Sequence, residues 1–194
     1  DSITDAGRVR SDPNGMGGGY ASLAAAWFQA RHPEKRVTFL NRGAGGDRAK
    51  DLEARWPADC LALKPNWVSI MIGINDTWRR FDSNDPTSTE AYERSYRNIL
   101  RAAADAIHPR FILIEPFVLP YPEDRKAWRK DLSPRIAVVH KLAAEFSAVV
   151  VRMDRIFARA AKKRECAFWA ADGVHPSAAG HALIAQSWLK AVKA

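Results

Sequence analysis

The chain has 194 residues, 47% of them hydrophobic and 27% charged, enough for one core that buries roughly 70% of the surface an unfolded chain exposes. Two cysteines exclude a disulfide scaffold or a zinc ribbon, and no apolar run approaches the ~18 residues of a membrane span. The net charge of +8 points toward polyanions. The basic residues are nevertheless scattered through 31–36, 48–55, 79–80, 125–135 and 162–164 among acidic neighbours, so nucleic acid is not expected as a partner.

Taken in chain order, residues 1–19 read as loop, because Pro13, Asn14 and the glycines at 15, 17, 18 and 19 favour turns. The Ala-rich run from Tyr20 to Arg31 predicts a helix that stops before Pro33. Val37 to Leu40 predicts a short buried strand. The glycine loop 41–47 follows, with Asp47 as N-cap of a helix reaching about Leu63 and kinked or split at Pro57. Trp67 to Ile72 predicts a second strand, closed by Gly73, and a polar loop runs from Asn75 to about Thr89. A helix over Glu90–Ile107, a strand over Phe111–Ile114 and a charged segment punctuated by Pro120 and Pro122 come next. Helical periodicity then runs from about Ser133 to Phe146, ahead of a strand at Val149–Val151 and a helix near 154–163. The loop Asp172–Pro176 leads into a last helix from Ser177 to about Val192.

Alternating strands and helices predict an α/β fold, one domain over residues 1–194, with a parallel sheet covered by helices on both faces. In such sheets the chemistry gathers beyond the carboxyl ends of the strands. Loops 41–47, 73–78 and 172–176 are expected there. Four strands are visible and a central fifth is wanting. The expectation is a fragment of a longer polypeptide whose first strand precedes Asp1.

No GxSxG elbow, P-loop, HExxH or complete GxGxxG occurs, so metal and dinucleotide sites lack support. Asn75-Asp76-Thr77 matches a glycosylation sequon but sits at a strand end. Asp172-Gly173-Val174-His175-Pro176 places a carboxylate three residues before an imidazole. That spacing suits either a loop histidine held by a local acid or an acid–base pair awaiting a hydroxyl.

Four blocks occur in order: Asp1-Ser2-Ile3-Thr4, Gly46-Asp47, Gly73-Ile74-Asn75-Asp76 and Asp172-Gly173-Val174-His175-Pro176-Ser177. Together they resemble the SGNH hydrolases, or GDSL-type esterases, over essentially the whole chain. Trp67 to Asp76 and Val174 to His181 are most similar to the bacterial carbohydrate acetylesterases, especially acetylxylan esterases. The resemblance implies a flavodoxin-like three-layer α/β/α sandwich with a mostly parallel central sheet. It implies Ser2 as nucleophile, His175 as general base and Asp172 as its orienting acid. The oxyanion hole it implies consists of the backbone N–H groups of Ser2 and Gly46 and the side-chain amide of Asn75. No metal or organic cofactor is expected, and the implied partner is an acetylated carbohydrate. Gly45 and Arg48 stand where the family often has a serine and a threonine.

Trp78 and Trp169 flank two of the loops and are candidates to stack on a sugar ring, or to pack the core. Arg79 and Arg80 read as a solvated rim, His32, His108 and His140 as structural, and His181 as a packing or surface residue. The competing readings are a short-chain esterase, lysophospholipase or thioesterase of the same superfamily, and a non-catalytic glycan- or polyanion-binding module. Spacing alone decides neither the compartment, nor the oligomeric state, nor whether Cys60 and Cys166 meet.

Overall fold

A computed structural model describes residues 1–193. Its sheet is parallel, with order β1-β2-β3 (β1 Trp67–Met71, β2 Arg110–Ile114, β3 Val149–Val151). Val68 sits opposite Phe111, and Ile112 opposite Val149. The apolar runs put side chains on both faces, as the two-residue period of a strand requires. Ile112, Ile114, Met71 and Val151 join one core with α1 (Ser2–Asp5), α2 (Tyr20–Arg31), α7 (Met153–Ala160) and α9 (Ala178–Ala191). Phe111, Leu113, Val68 and Ile70 join the other with α3 (Ala49–Asp59) and α5 (Thr89–Ile107). Helix α6 (Arg125–Glu145) serves both, placing Trp128 and Leu132 in the first core and Val138, Val139 and Leu142 in the second. Each such fully buried side chain contributes about 1.5–3 kcal/mol. The three-layer α/β/α arrangement is the expected one.

Three strands form among the described residues, where four were visible in the sequence. Val37 to Leu40 lies outside any strand, with Val37 39% and Leu40 40% exposed. A strand exists only through a ladder partner, and this run has none. A cleft of about 200 Å³, lined both by Phe39 to Gly43 and by Trp67 to Met71, leaves β1 paired on its β2 side alone.

Four further differences have local causes. Residues 2–5 form a helical turn instead of loop, because the Asp1 carboxylate accepts the N–H groups of Ile3 and Thr4. Helix α3 starts at Ala49 with Arg48, not Asp47, as N-cap; Asp47 instead pairs with Arg55 at 2.7 Å. The expected loop after Gly73 is α4 (Ile74–Asp82), with Asp76 in its first turn and Arg79 and Arg80 in its last, which suits the helix dipole. Helix α6 begins eight residues before Ser133, passes through Pro134 and is anchored by the buried Trp128 and Leu132. A short α8 (Cys166–Trp169) precedes the final loop. The last helix agrees with expectation, and Ser177 caps it by accepting the Gly180 N–H at 3.2 Å. Both cysteines are free thiols.

Candidate active site

Ser2 opens α1, and its Oγ lies 3.0 Å from His175 Nε2, across 173 positions of sequence. The other ring nitrogen, Nδ1, lies 2.6 Å from Asp172 Oδ2. The second carboxylate oxygen, Oδ1, accepts the backbone N–H groups of Val174 at 2.9 Å and His175 at 2.7 Å. Hence the acid is aimed by its own loop. Burial opposes ionisation of Asp172, but the hydrogen bonds from the His175 ring, His175 N–H and Val174 N–H hold it well below the usual carboxylate range. The same bond to Asp172 raises the His175 pKa above its ordinary 6.5 against partial desolvation. The arrangement leaves Nε2 facing a hydroxyl, ready to accept its proton.

The loop 172–175 has little conformational choice. Gly173 has φ +80°, and a Cβ there would stand 2.0 Å from the Tyr121 carbonyl oxygen. The Gly173 carbonyl accepts the Leu119 N–H at 2.9 Å.

Loop 43–47 is held against α1 by two buried polar residues. Asn41 donates to the carbonyls of Thr4 at 2.6 Å and Met16 at 2.8 Å, and accepts the Gly43 N–H at 2.8 Å. Asp5 accepts the Gly45 N–H at 2.9 Å. At Gly43 a Cβ would come within 2.4 Å of the Asp5 nitrogen, which only glycine permits. Gly45 consequently packs beside Ser2, its Cβ position 3.8 Å from the Ser2 Cβ. Gly46 follows at φ +86°. The buried Asn75 donates one amide N–H to the Asp47 carbonyl at 3.0 Å, which places its side chain on the same loop with a second N–H to spare. Beneath it Asp76, fully buried, accepts the Ala49 N–H at 3.1 Å, and burial pushes its carboxyl up to about 6.

Of the residues predicted from sequence, Ser2, Asp172 and His175 are therefore joined by direct hydrogen bonds. Gly46 lies on the adjoining loop, and Asn75, in the first turn of α4, donates to that loop. Trp78 is also brought in, its ring centroid 5.5 Å from that of His175. Trp169 is not: its indole N–H is shared between the Ala160 and Arg164 carbonyls, so it braces the end of α7. His181 accepts the Tyr20 N–H at 3.1 Å and so caps α2. Asp5 and Asn41, which knit the turn of Ser2 to the glycine loop, have no signature in the sequence. Their partners lie up to 40 positions away and leave no local pattern. Among the described residues no cluster of three or more His, Cys, Asp or Glu could hold a metal, and no helix is long and apolar enough to cross a membrane.

Residues 1–183 match the model of the GDSL-like lipase/acylhydrolase family. An acetylxylan esterase of Geobacillus stearothermophilus is 36% identical over 199 residues, covering 99% of this chain and 90% of its own. A solved structure of a tryptophan-to-isoleucine variant of Axe2, an acetylxylan esterase from that organism, superposes with a TM-score of 0.91 at 34% identity, over 99% of this chain and 91% of its own. LAE5, an α/β hydrolase enzyme from the metagenome of Lake Arreo, gives 0.92 at 34% identity, over 100% and 92%. A serine-to-alanine and a histidine-to-alanine variant of Axe2 are each a catalytic mutant of that enzyme.

Proposed function

The chain belongs to the GDSL-like lipase/acylhydrolase family and is a carboxylic ester hydrolase, and we propose that it removes O-acetyl groups from a carbohydrate such as acetylated xylan or its oligosaccharides. The observation that carries the mechanism is the continuous relay from Ser2 Oγ through His175 to Asp172, with links of 3.0 and 2.6 Å.

Ser2 Oγ attacks the acetyl carbonyl carbon while His175 Nε2 takes the hydroxyl proton. Asp172 keeps the Nδ1 proton in place and stabilises the imidazolium that forms. Negative charge then develops on the carbonyl oxygen. The N–H groups of Ser2 and Gly46 and the spare Asn75 amide N–H receive it; one such donor is worth about 10²–10³ in turnover. Collapse of the tetrahedral adduct breaks the bond to the sugar oxygen, which leaves with the proton from His175. Water, deprotonated by the same nitrogen, attacks the acetyl-serine, and its collapse releases acetate and restores the hydroxyl. Trp78 packs beside the imidazole, which makes it the tryptophan placed to border the bound ester. Support for the acetyl-carbohydrate substrate comes from the Geobacillus relatives, which are acetylxylan esterases.

The test is hydrolysis of chromogenic acetate and octanoate esters and acetate release from acetylated xylo-oligosaccharides, with Ser2→Ala alongside. Acetyl preference and an inactive Ser2→Ala are expected. A preference for octanoate would replace the carbohydrate reading with a lipid or thioester one. An unimpaired Ser2→Ala would end the serine mechanism, and wild-type protein that hydrolyses none of these esters would leave a binding module.

A further inference from the structure

Arg125, the first residue of α6, belongs to the charged segment that the sequence presents as scattered basic surface. Its side chain is only 15% exposed. The Nε–H donates to the Asp172 backbone carbonyl at 3.1 Å. The guanidinium carbon lies 5.2 Å from the Trp78 ring centroid and 4.2 Å from that of Trp128. Trp78 and Trp128 meet edge to face at 5.0 Å, and the Trp78 ring centroid also lies 5.5 Å from that of His175. The Asp124 carboxylate accepts a hydrogen bond from Nη1–H.

We propose that Arg125 is a positioning residue for the His175 imidazole: one guanidinium holds the Asp172 main chain and braces the Trp78 indole that packs against the imidazole. This rests on the reading of Ser2, His175 and Asp172 as the catalytic relay. The need for such a brace is visible in the loop. The Asp172 side chain is 39% exposed and the His175 side chain 49%, so packing alone does not immobilise them. The Leu119 bond holds the Gly173 carbonyl, and the Arg125 bond holds the one before it. The anchor is firm, because Trp128 and Leu132 seat the same helix in the core. Arginine suits the position where lysine does not. Its planar group donates in plane and stacks on aromatic faces at once, whereas an ammonium is a point charge without a face. Asp124, which pairs with the guanidinium, is 63% exposed and screened by solvent, so the contacts to Asp172 and Trp78 do the holding.

The experiment compares Arg125→Lys and Arg125→Met with wild type on a chromogenic acetate ester. It reads kcat and KM separately, together with the downfield proton resonance of His175 Nδ1–H and the melting temperature. A displaced base costs about 10–100-fold in rate. We expect kcat to fall by that factor in both variants, KM to stay within about twofold, and the Nδ1–H resonance to shift or broaden in Arg125→Lys. If Arg125→Met does not fold, Arg125→Lys carries the test, since it keeps stem and charge. A kcat within about threefold of wild type, a loss confined to KM, or an unchanged imidazole resonance would overturn the proposal. Ser2→Ala separates the two levels. Activity retained in Ser2→Ala removes the relay itself, whereas an inactive Ser2→Ala beside a normal Arg125→Lys removes only the role of Arg125.

Discussion

Replacing Asp172 by asparagine should do more harm than replacing it by alanine, and the reason is the pair of backbone donors on Oδ1. The N–H groups of Val174 and His175 demand an oxygen at that position, at 2.9 and 2.7 Å. An asparagine amide that supplies its oxygen there must turn its NH₂ toward His175 Nδ1, which then accepts. The ring proton is left on Nε2, facing Ser2 Oγ, where a base is required. The opposite amide orientation restores the right tautomer but sets two donors against NH₂. Each unmet donor costs about 1–3 kcal/mol, so the productive state lies about 2–6 kcal/mol up. The loop is half-exposed and water relieves part of that cost. The lower half of the range, about 2–4 kcal/mol, corresponds to a 30- to 10³-fold loss of kcat. Alanine brings no donor, water reaches Nδ1, and both tautomers stay accessible, so Asp172→Ala should retain more activity. The assay is kcat on a chromogenic acetate ester across about pH 5–9. In both variants the acid limb should also move down toward the ordinary imidazole value of about 6.5, because the carboxylate that raises the His175 pKa is gone. An asparagine variant with more than a third of wild-type kcat, or one clearly better than alanine, would refute the tautomer argument.

In the wild-type enzyme the base must be neutral, so kcat/KM should rise with pH through an apparent pKa above 6.5; a limb below that value would contradict the Asp172–His175 bond. Asn75→Ala should lower kcat about 10²–10³-fold with a much smaller change in KM, and a loss seen mainly in KM would remove Asn75 from the oxyanion hole. Gly173→Ala puts a methyl group 2.0 Å from the Tyr121 carbonyl at φ +80°. The loop must move, and kcat should fall at least about tenfold, checked by kinetics beside a crystal structure of the variant. Asp76 is protonated more readily folded (about 6) than unfolded (3.8), so the stability it contributes is present below about pH 4 and is lost as pH rises through 6, about 3 kcal/mol in all. Asp76→Asn keeps an oxygen for the Ala49 N–H and does not titrate. By urea unfolding it should therefore gain about 2–2.5 kcal/mol on wild type between pH 4 and pH 7, and a difference independent of pH would refute the burial of a titrating carboxyl.

Much of the layer architecture is legible in hydrophobic runs. Phe111 to Ile114 and Val149 to Val151 pair as strands because an uninterrupted apolar run suits a sheet covered on both faces. The same signal misleads at Val37 to Leu40, where it reports apolarity but not the presence of a neighbour to pair with. Conversely, α4 reads as polar loop because its first turn buries Asn75, Asp76 and Thr77. Polar residues buried for the sake of a site look like surface in a hydropathy pattern.

Four short blocks in order carry the family resemblance that points to Ser2, His175 and Asp172, and those three side chains are joined by hydrogen bonds. Which loops touch is settled only by folding. The 3.0 Å approach of Ser2 to His175 joins opposite ends of the chain, and Asn41, Asp5 and Arg125 matter through partners 25 to 47 positions distant. Trp78 and Trp169 look alike in sequence, yet one faces the imidazole and the other braces a helix end. Periodicity encodes which side chains leave water; the direction of a hydrogen bond between distant elements is set by how those elements pack, and nothing local to either residue records it.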